Sequence, residues 1–250
     1  MEFFKPDGYY PNGHDIGFFE LWIPIIISFL IIVILVKYSK QIKTNPILKK
    51  WLDGILLGLL IFAQLGSWMV TILYRDGTFF GFTKHDAPLH LCSISLLALI
   101  YIIIAKKNYL HKLLFYGSLF GAVLGMVFSY NTITVGIKNF EYWRFFIAHL
   151  SIFVGYIYYQ VANDNYLTAA EGRQSIAFFY ALLTFMLIFN LIFGTQYIYL
   201  GPVAYENIGL FQMVPNWIYA TVLVYVIVAI YAAPCFAINS VIQKKTRITE

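Results

Sequence analysis

Residues 85–95 read HDAPLHLCSIS and pass directly into the apolar stretch LLALIYIIIA. Two histidines, an aspartate, a proline and a cysteine therefore sit at one lipid boundary. A cysteine attacks only as its thiolate, which needs a base or a cation nearby. His90 is close in sequence to Cys92, but in a regular helix the two diverge by about 200°. Either a distorted helix start near Pro88 or a base from another helix is required. His149, in FFIAHLSIFVGYIYY, is the candidate on another helix. Acyl transfer also needs donors for a developing oxyanion, for which His90, Asn190 and Thr195 are candidates. Gln196, Tyr197 and Gln64 are further candidates for holding substrate, and Arg144 suits a phosphate. Each residue also has a structural use: a lone Cys packs as a small hydrophobe, and a lone His or Gln bonds a neighbouring helix.

These residues need a scaffold, and composition names the solvent around it. The 250 residues are 60% hydrophobic and 12% charged, with a mean hydropathy of +0.73. A water-soluble chain of this length cannot hide so much apolar surface. A membrane helix needs about 20 mostly apolar residues. Seven such runs occur, at 18–36, 52–72, 88–105, 113–130, 143–161, 174–192 and 215–237. Backbone groups in lipid must bond internally, so these runs predict helices. The expected architecture is an all-α membrane protein, one domain of seven transmembrane helices over 1–250, multi-pass in the cell membrane.

Lys and Arg set the orientation. Lys37, Lys40, Lys43, Lys49, Lys50, Lys106, Lys107, Lys112, Arg173, Lys244, Lys245 and Arg247 belong to connections on one side. Lys5, Arg75, Lys84, Lys138 and Arg144 belong to the other. The richer side is expected in the cytoplasm, which puts the N-terminus outside and the C-terminus inside. Loop cations facing anionic headgroups account for the net charge of +5 without a nucleic-acid partner. The opening MEFFKPDGYYPNGHDIG has no basic region ahead of its apolar run, so the first helix is expected to be retained. Cys92 and Cys235 fall near opposite membrane faces, too far apart for a disulfide. No metal-ligand spacing occurs, and neither a metal nor another cofactor is expected.

Arranged by depth, the polar residues gather near the outer surface. Pro88 suits a first helical turn, which places His90 and Cys92 within about two turns of that surface. His149 lies about 9 Å below Trp143. Asn190 and Thr195 end the sixth run; Gln64, Ser67 and Thr71 approach from the second, Tyr130 and Asn131 from the fourth. The inner half offers mainly Cys235 and Asn239. Residues 194–217 form the one long connection, aromatic and apolar, expected to lie in the interface or fold back over the bundle.

The strings APLHLCSISLLALIYI, FFIAHLSIFVGYIYY and NLIFGTQYIYL resemble the YwaF-like (TP0381-type) bacterial membrane proteins. Their pattern is PLHLC, a later membrane His, then N-x-x-x-GTNYxYL. Pro88, Leu89, His90, Leu91, Cys92, His149, Asn190, Gly194, Thr195, Tyr197, Tyr199 and Leu200 match in order over roughly 85–235. Gln196 stands where the pattern has Asn, and NTITVGIKNF replaces the usual stretch after the fourth helix. That family is similar to eukaryotic multispan proteins regarded as lysophospholipid acyltransferases. It is more distantly similar to androgen-induced-gene-type intramembrane hydrolases, which use a Thr nucleophile and a later His. The resemblance implies Cys92 as nucleophile and His149 as base.

The leading expectation is an acyltransferase or hydrolase acting on a membrane lipid or lipid-like acyl substrate in the outer leaflet. The alternative is a transporter or ligand-binding protein that uses the same polar groups without chemistry. A retinal protein is excluded, because the seventh run has no lysine for a Schiff base. Nothing in the sequence names a protein partner.

Overall fold

A computed structural model describes residues 17–74, 87–127 and 136–248. His85, Asp86, Tyr130 and Asn131, and the side chains of Thr71 and Cys235, lie outside what is described. Among the described residues the elements are helical: α1 (Phe18–Lys37), α2 (Ser39–Thr44), α3 (Pro46–Tyr74), α4 (Leu91–Ala105), α5 (Asn108–Val127), α6 (Phe140–Ala162), α7 (Ala169–Phe193), α8 (Pro202–Asn207) and α9 (Trp217–Ile248). Six of them, α1, α3, α5, α6, α7 and α9, are long and apolar enough to cross a membrane.

The run expected at 88–105 forms a shorter helix. At 15 residues, α4 is about 22 Å long, against a hydrocarbon core of ~30 Å. Its start differs from the expectation for a local reason. Pro88 is the centre of a tight turn in which Leu89 N–H bonds the Ala87 carbonyl at 2.7 Å, so it precedes the helix instead of opening it.

Polar side chains cap the starts of four other helices. Asn45 Oδ1 accepts the N–H groups of Ile47 and Leu48 before α3. Asn139 accepts from Glu141 N–H before α6. Thr168 and Glu171 bond reciprocally before α7. Asn216 accepts from Ile218 and Tyr219 before α9. Each supplies an acceptor to amides that have no partner within the helix. The N-cap of α4 is His90, and its side chain makes no capping hydrogen bond.

Helix α6 is the axis of the fold. It packs on α1, α3, α4 and α5 and is buried along nearly its whole length. Exposed apolar residues line the peripheral helices, among them Ile23, Ile27, Leu30 and Ile34 on α1 and Phe185, Ile188 and Ile192 on α7. Where the surroundings are lipid, such a surface is solvated. Gly155 fixes how α4 meets α6, since a Cβ there would fall 2.6 Å from Leu99 Cδ2. Only a residue without a side chain admits that approach.

The end of the bundle rich in Lys is more polar inside than its sequence suggests. His111, fully buried, bonds the Tyr156 carbonyl through Nε2 at 2.8 Å and Asn165 through Nδ1 at 2.9 Å. Gln160 donates to Asn239, whose own amide donates to the Leu167 carbonyl. Lys49 Nζ reaches the Ala162 carbonyl and Asn163 Oδ1. Tyr158 donates to Asp53, which also pairs with Lys106. This network joins α3, α5, α6 and α9, and among the described residues leaves the buried Gln160 Oε1 without a partner.

Candidate functional site

Cys92 is the second residue of α4 and is half-buried. Because His90 has extended backbone (φ −65°, ψ 145°) and leaves the helix uncapped, the first-turn amides of α4 have no acceptor within the helix. The N–H groups of Cys92 and Ser93 lie beside the thiol. The extended His90 also removes the angular conflict with Cys92, since the two are no longer successive positions of one helix.

Helix geometry gives the direction of the thiol. Seven residues are almost two turns, so Cys92 and Leu99 share a stripe of α4 to within about 20°. Leu99 packs on Gly155, hence that stripe meets α6. Both helices leave the same end of the bundle and run parallel. Counting back seven residues from Gly155 puts Cys92 level with Ala148, next to His149.

His149 is 5% exposed. Its Nδ1 lies 2.8 Å from the Phe145 carbonyl oxygen, and its ring stacks on that of Phe145 at 4.0 Å between centroids. The Nε2 edge rests on Gly125 of α5, where a Cβ would come within 2.4 Å of the ring. Leu91 of α4 rests likewise on Gly121. Gly121 and Gly125 are about 6 Å apart along α5. Measured along α5, the imidazole is therefore about one turn beyond Leu91, toward the end at which α4 begins. Among the described residues the thiol and the ring make no hydrogen bond to each other; they approach one three-helix junction from α4 and α6. Arg144 lies within electrostatic reach of both.

The other sequence candidates divide into two groups. Asn190, 1% exposed, donates to the carbonyls of Tyr197 and Leu200 and accepts from Thr195 Oγ1 and Tyr197 N–H. Both of its amide hydrogens and the Thr195 hydroxyl hydrogen are thus committed to folding the chain after α7. Gln196 Oε1 accepts from Asn207. The segment they hold folds back over the start of α4: Tyr197, Ile198 and Leu200 pack with Leu91. His90 lies edge-on to Tyr197, with ring centroids 5.0 Å apart. Arg144 is held by Glu141 through Nε and Nη2, which leaves its Nη1 group without a hydrogen bond among the described residues. Gln64 is buried on α3 and likewise makes none there.

Glu141 and Gly125 escaped the sequence reading, and Tyr199 entered it only as part of the GTQYIYL likeness, with no site role. Glu141 sets the orientation of Arg144, Gly125 seats the imidazole, and Tyr199 lies 5.9 Å from His90 between ring centroids and within electrostatic reach of Cys92. The GTQYIYL string contains Tyr199, but alternation of exposure in so short a turn cannot be read from sequence.

Apolar helices arranged around a buried polar junction define a multispan membrane protein. The chain belongs to the TMEM164 family, whose pattern matches residues 9–238, all but its two ends. No curated protein and no solved structure matches it.

Proposed function

We propose that this protein is a membrane-embedded enzyme that transfers or hydrolyses the acyl chain of a lipid through Cys92 and His149. What supports this reading is the uncapped start of α4, with Cys92 in its first turn, and the buried imidazole of His149, which rests on Gly125 about one turn beyond the contact of Leu91 with Gly121. Nε2 takes the thiol proton, and the sulfur attacks the ester carbonyl. Collapse of the adduct expels the lysolipid alkoxide, which recovers the proton from His149. Water or a second lysolipid then attacks the thioester by the same steps in reverse. The first-turn amides of α4 stabilise the oxyanion, and Arg144 Nη1 takes a headgroup phosphate oxygen. The likeness of PLHLC, His149 and GTQYIYL to the YwaF-like proteins, and through them to the acyltransferases and hydrolases named above, supports the same roles.

In this reading α4 and residues 87–90 together make a seventh crossing. The Lys-rich end faces the cytoplasm of the cell membrane, and the site opens to the outer leaflet.

The test is acyl exchange in liposomes of phosphatidylcholine, phosphatidylethanolamine and their lysolipids, with the protein reconstituted. Cys92→Ala and His149→Ala are each expected to abolish turnover while helix content is retained. Full activity in both variants rejects the proposal. Arg144 Nη1 and the Gln64 amide, neither of them bonded among the described residues, also suit a ligand-holding site without chemistry. That reading predicts ligand binding or flux that Cys92→Ser leaves intact.

A further inference from the structure

The backbone after α7 is bent at a place that ordinary residues avoid. Ile198 and Tyr199 are consecutive and both have left-handed φ, 55° and 58°. A β-branched residue in that region is a conformational outlier, and such outliers persist only where the surroundings over-determine them. Here Asn190 does so, by binding the chain on both sides of the bend, at the Tyr197 carbonyl and N–H and at the Leu200 carbonyl.

The bend decides which side chain faces what. Tyr197 and Ile198 turn into the core at 1% and 6% exposure, while Tyr199 stays 42% exposed. The Tyr199 ring meets His90, two residues before Cys92, and lies within electrostatic reach of the thiol. Its hydroxyl makes no hydrogen bond among the described residues. Of the polar groups that this segment brings to the start of α4, the donors of Asn190 and Thr195 are consumed within the segment itself. Tyr199 keeps its donor, on a ring that meets His90 and lies within electrostatic reach of the thiol.

We infer that the Tyr199 hydroxyl donates a hydrogen bond to the carbonyl oxygen of the acyl group attacked at Cys92. This makes it a catalytic residue, and the inference rests on the acyl-transfer reading above. As the sulfur–carbon bond forms, the carbonyl π pair moves onto oxygen and the thiol proton moves to His149 Nε2. The Tyr199 O–H bond stays intact and its hydrogen bond strengthens with the charge on that oxygen. The pair returns to re-form the carbonyl as the leaving oxygen departs. The strained bend is the device that holds the donor still.

Two probes separate this role from a packing role. p-Nitrophenyl decanoate acylates a thiol through an oxyanion, with release of p-nitrophenolate. N-Ethylmaleimide alkylates the same thiol without forming an acyl oxyanion. Both are followed at Cys92 by peptide mass spectrometry of the full chain in detergent, with Cys92→Ala as the blank. Tyr199→Phe removes one oxygen and keeps the ring. It is expected to slow acylation about 10²- to 10³-fold, the usual effect of losing one oxyanion donor, and to leave alkylation within about twofold. Unchanged acylation overturns the inference, and so does an equal fall in both rates, which would mark Tyr199 as packing alone. Absence of any acyl group on Cys92 in the unsubstituted protein rejects the acyl-transfer reading itself, and the role of Tyr199 falls with it.

Discussion

The Nδ1 of His149 and the carbonyl oxygen of Phe145, one turn earlier in the same helix, are 2.8 Å apart. A carbonyl oxygen only accepts, so Nδ1 carries the hydrogen and the lone pair of the neutral ring is on Nε2. In the proposed mechanism the helix backbone thus fills the role that a carboxylate holds in a nucleophile–base–orienter arrangement. An orienter made of backbone cannot be removed by substitution, so the base itself must be changed to test it.

His149→Gln keeps a polar side chain of similar length and removes the proton acceptor. The rate of Cys92 alkylation by N-ethylmaleimide at neutral pH is expected to fall about 10²-fold or more, the usual contribution of a positioned base. Circular dichroism should show the helices intact. An unchanged alkylation rate would show that the thiol is activated without this ring.

Gly125→Ala puts a methyl group where the His149 ring now rests, at 2.4 Å from two of its atoms. Overpacking of this kind costs about 1–3 kcal/mol, and the displaced ring should slow Cys92 alkylation at the same time. Gly58→Ala is the control, because a Cβ there meets nothing within 4 Å. It should raise stability by roughly 0.5–1 kcal/mol, the helical difference between the two residues, with chemistry unaltered. Thermal unfolding in detergent reads both.

Asn190→Ala removes four hydrogen bonds at once. Each buried group left without a partner costs about 1–3 kcal/mol, so a drop of several kcal/mol is expected after partial relaxation. The segment around Tyr197 should become sensitive to limited proteolysis. Asn190→Asp cannot donate to the two carbonyls and should not rescue. Rescue by Asp would mean that the donors do not hold the bend.

His111→Ala tests the opposite end. The Tyr156 carbonyl loses its bond from the ring, the Asn165 amide keeps only its bond to the Asn108 carbonyl, and a buried ring leaves a cavity, for a loss of about 3 kcal/mol. Cys92 alkylation should be unaffected. A parallel loss of both would join the two ends functionally.

The membrane class and the helix positions were legible in the sequence because both follow from local quantities, apolar run length and the residues that interrupt it. Six of the seven expected runs correspond to long apolar helices. The start of α4 was misplaced because Pro88 is compatible with both a first helical turn and a tight turn before one, and the Ala87–Leu89 hydrogen bond selects the second. The polar end around His111 was underrated for a related reason. Its members, Asn165, Gln160 and Asn239 among them, are scattered over three helix ends and become a network only when those ends meet.

What the residues determined alone was a set of apolar helices, and a thiol, an imidazole and an amide-rich turn near the same end of them. The tertiary structure decided which donors are spent and which are free. Asn190, Thr195 and Tyr199 are alike in sequence as polar residues near the end of α7. Only the fold shows that the first two are consumed in bending the chain and the third is left over. Hydrogen-bond capacity is finite, and its allocation depends on distances between segments far apart in the chain. The thiol's direction likewise came from the contact of Leu99 with Gly155, which no local pattern along α4 encodes.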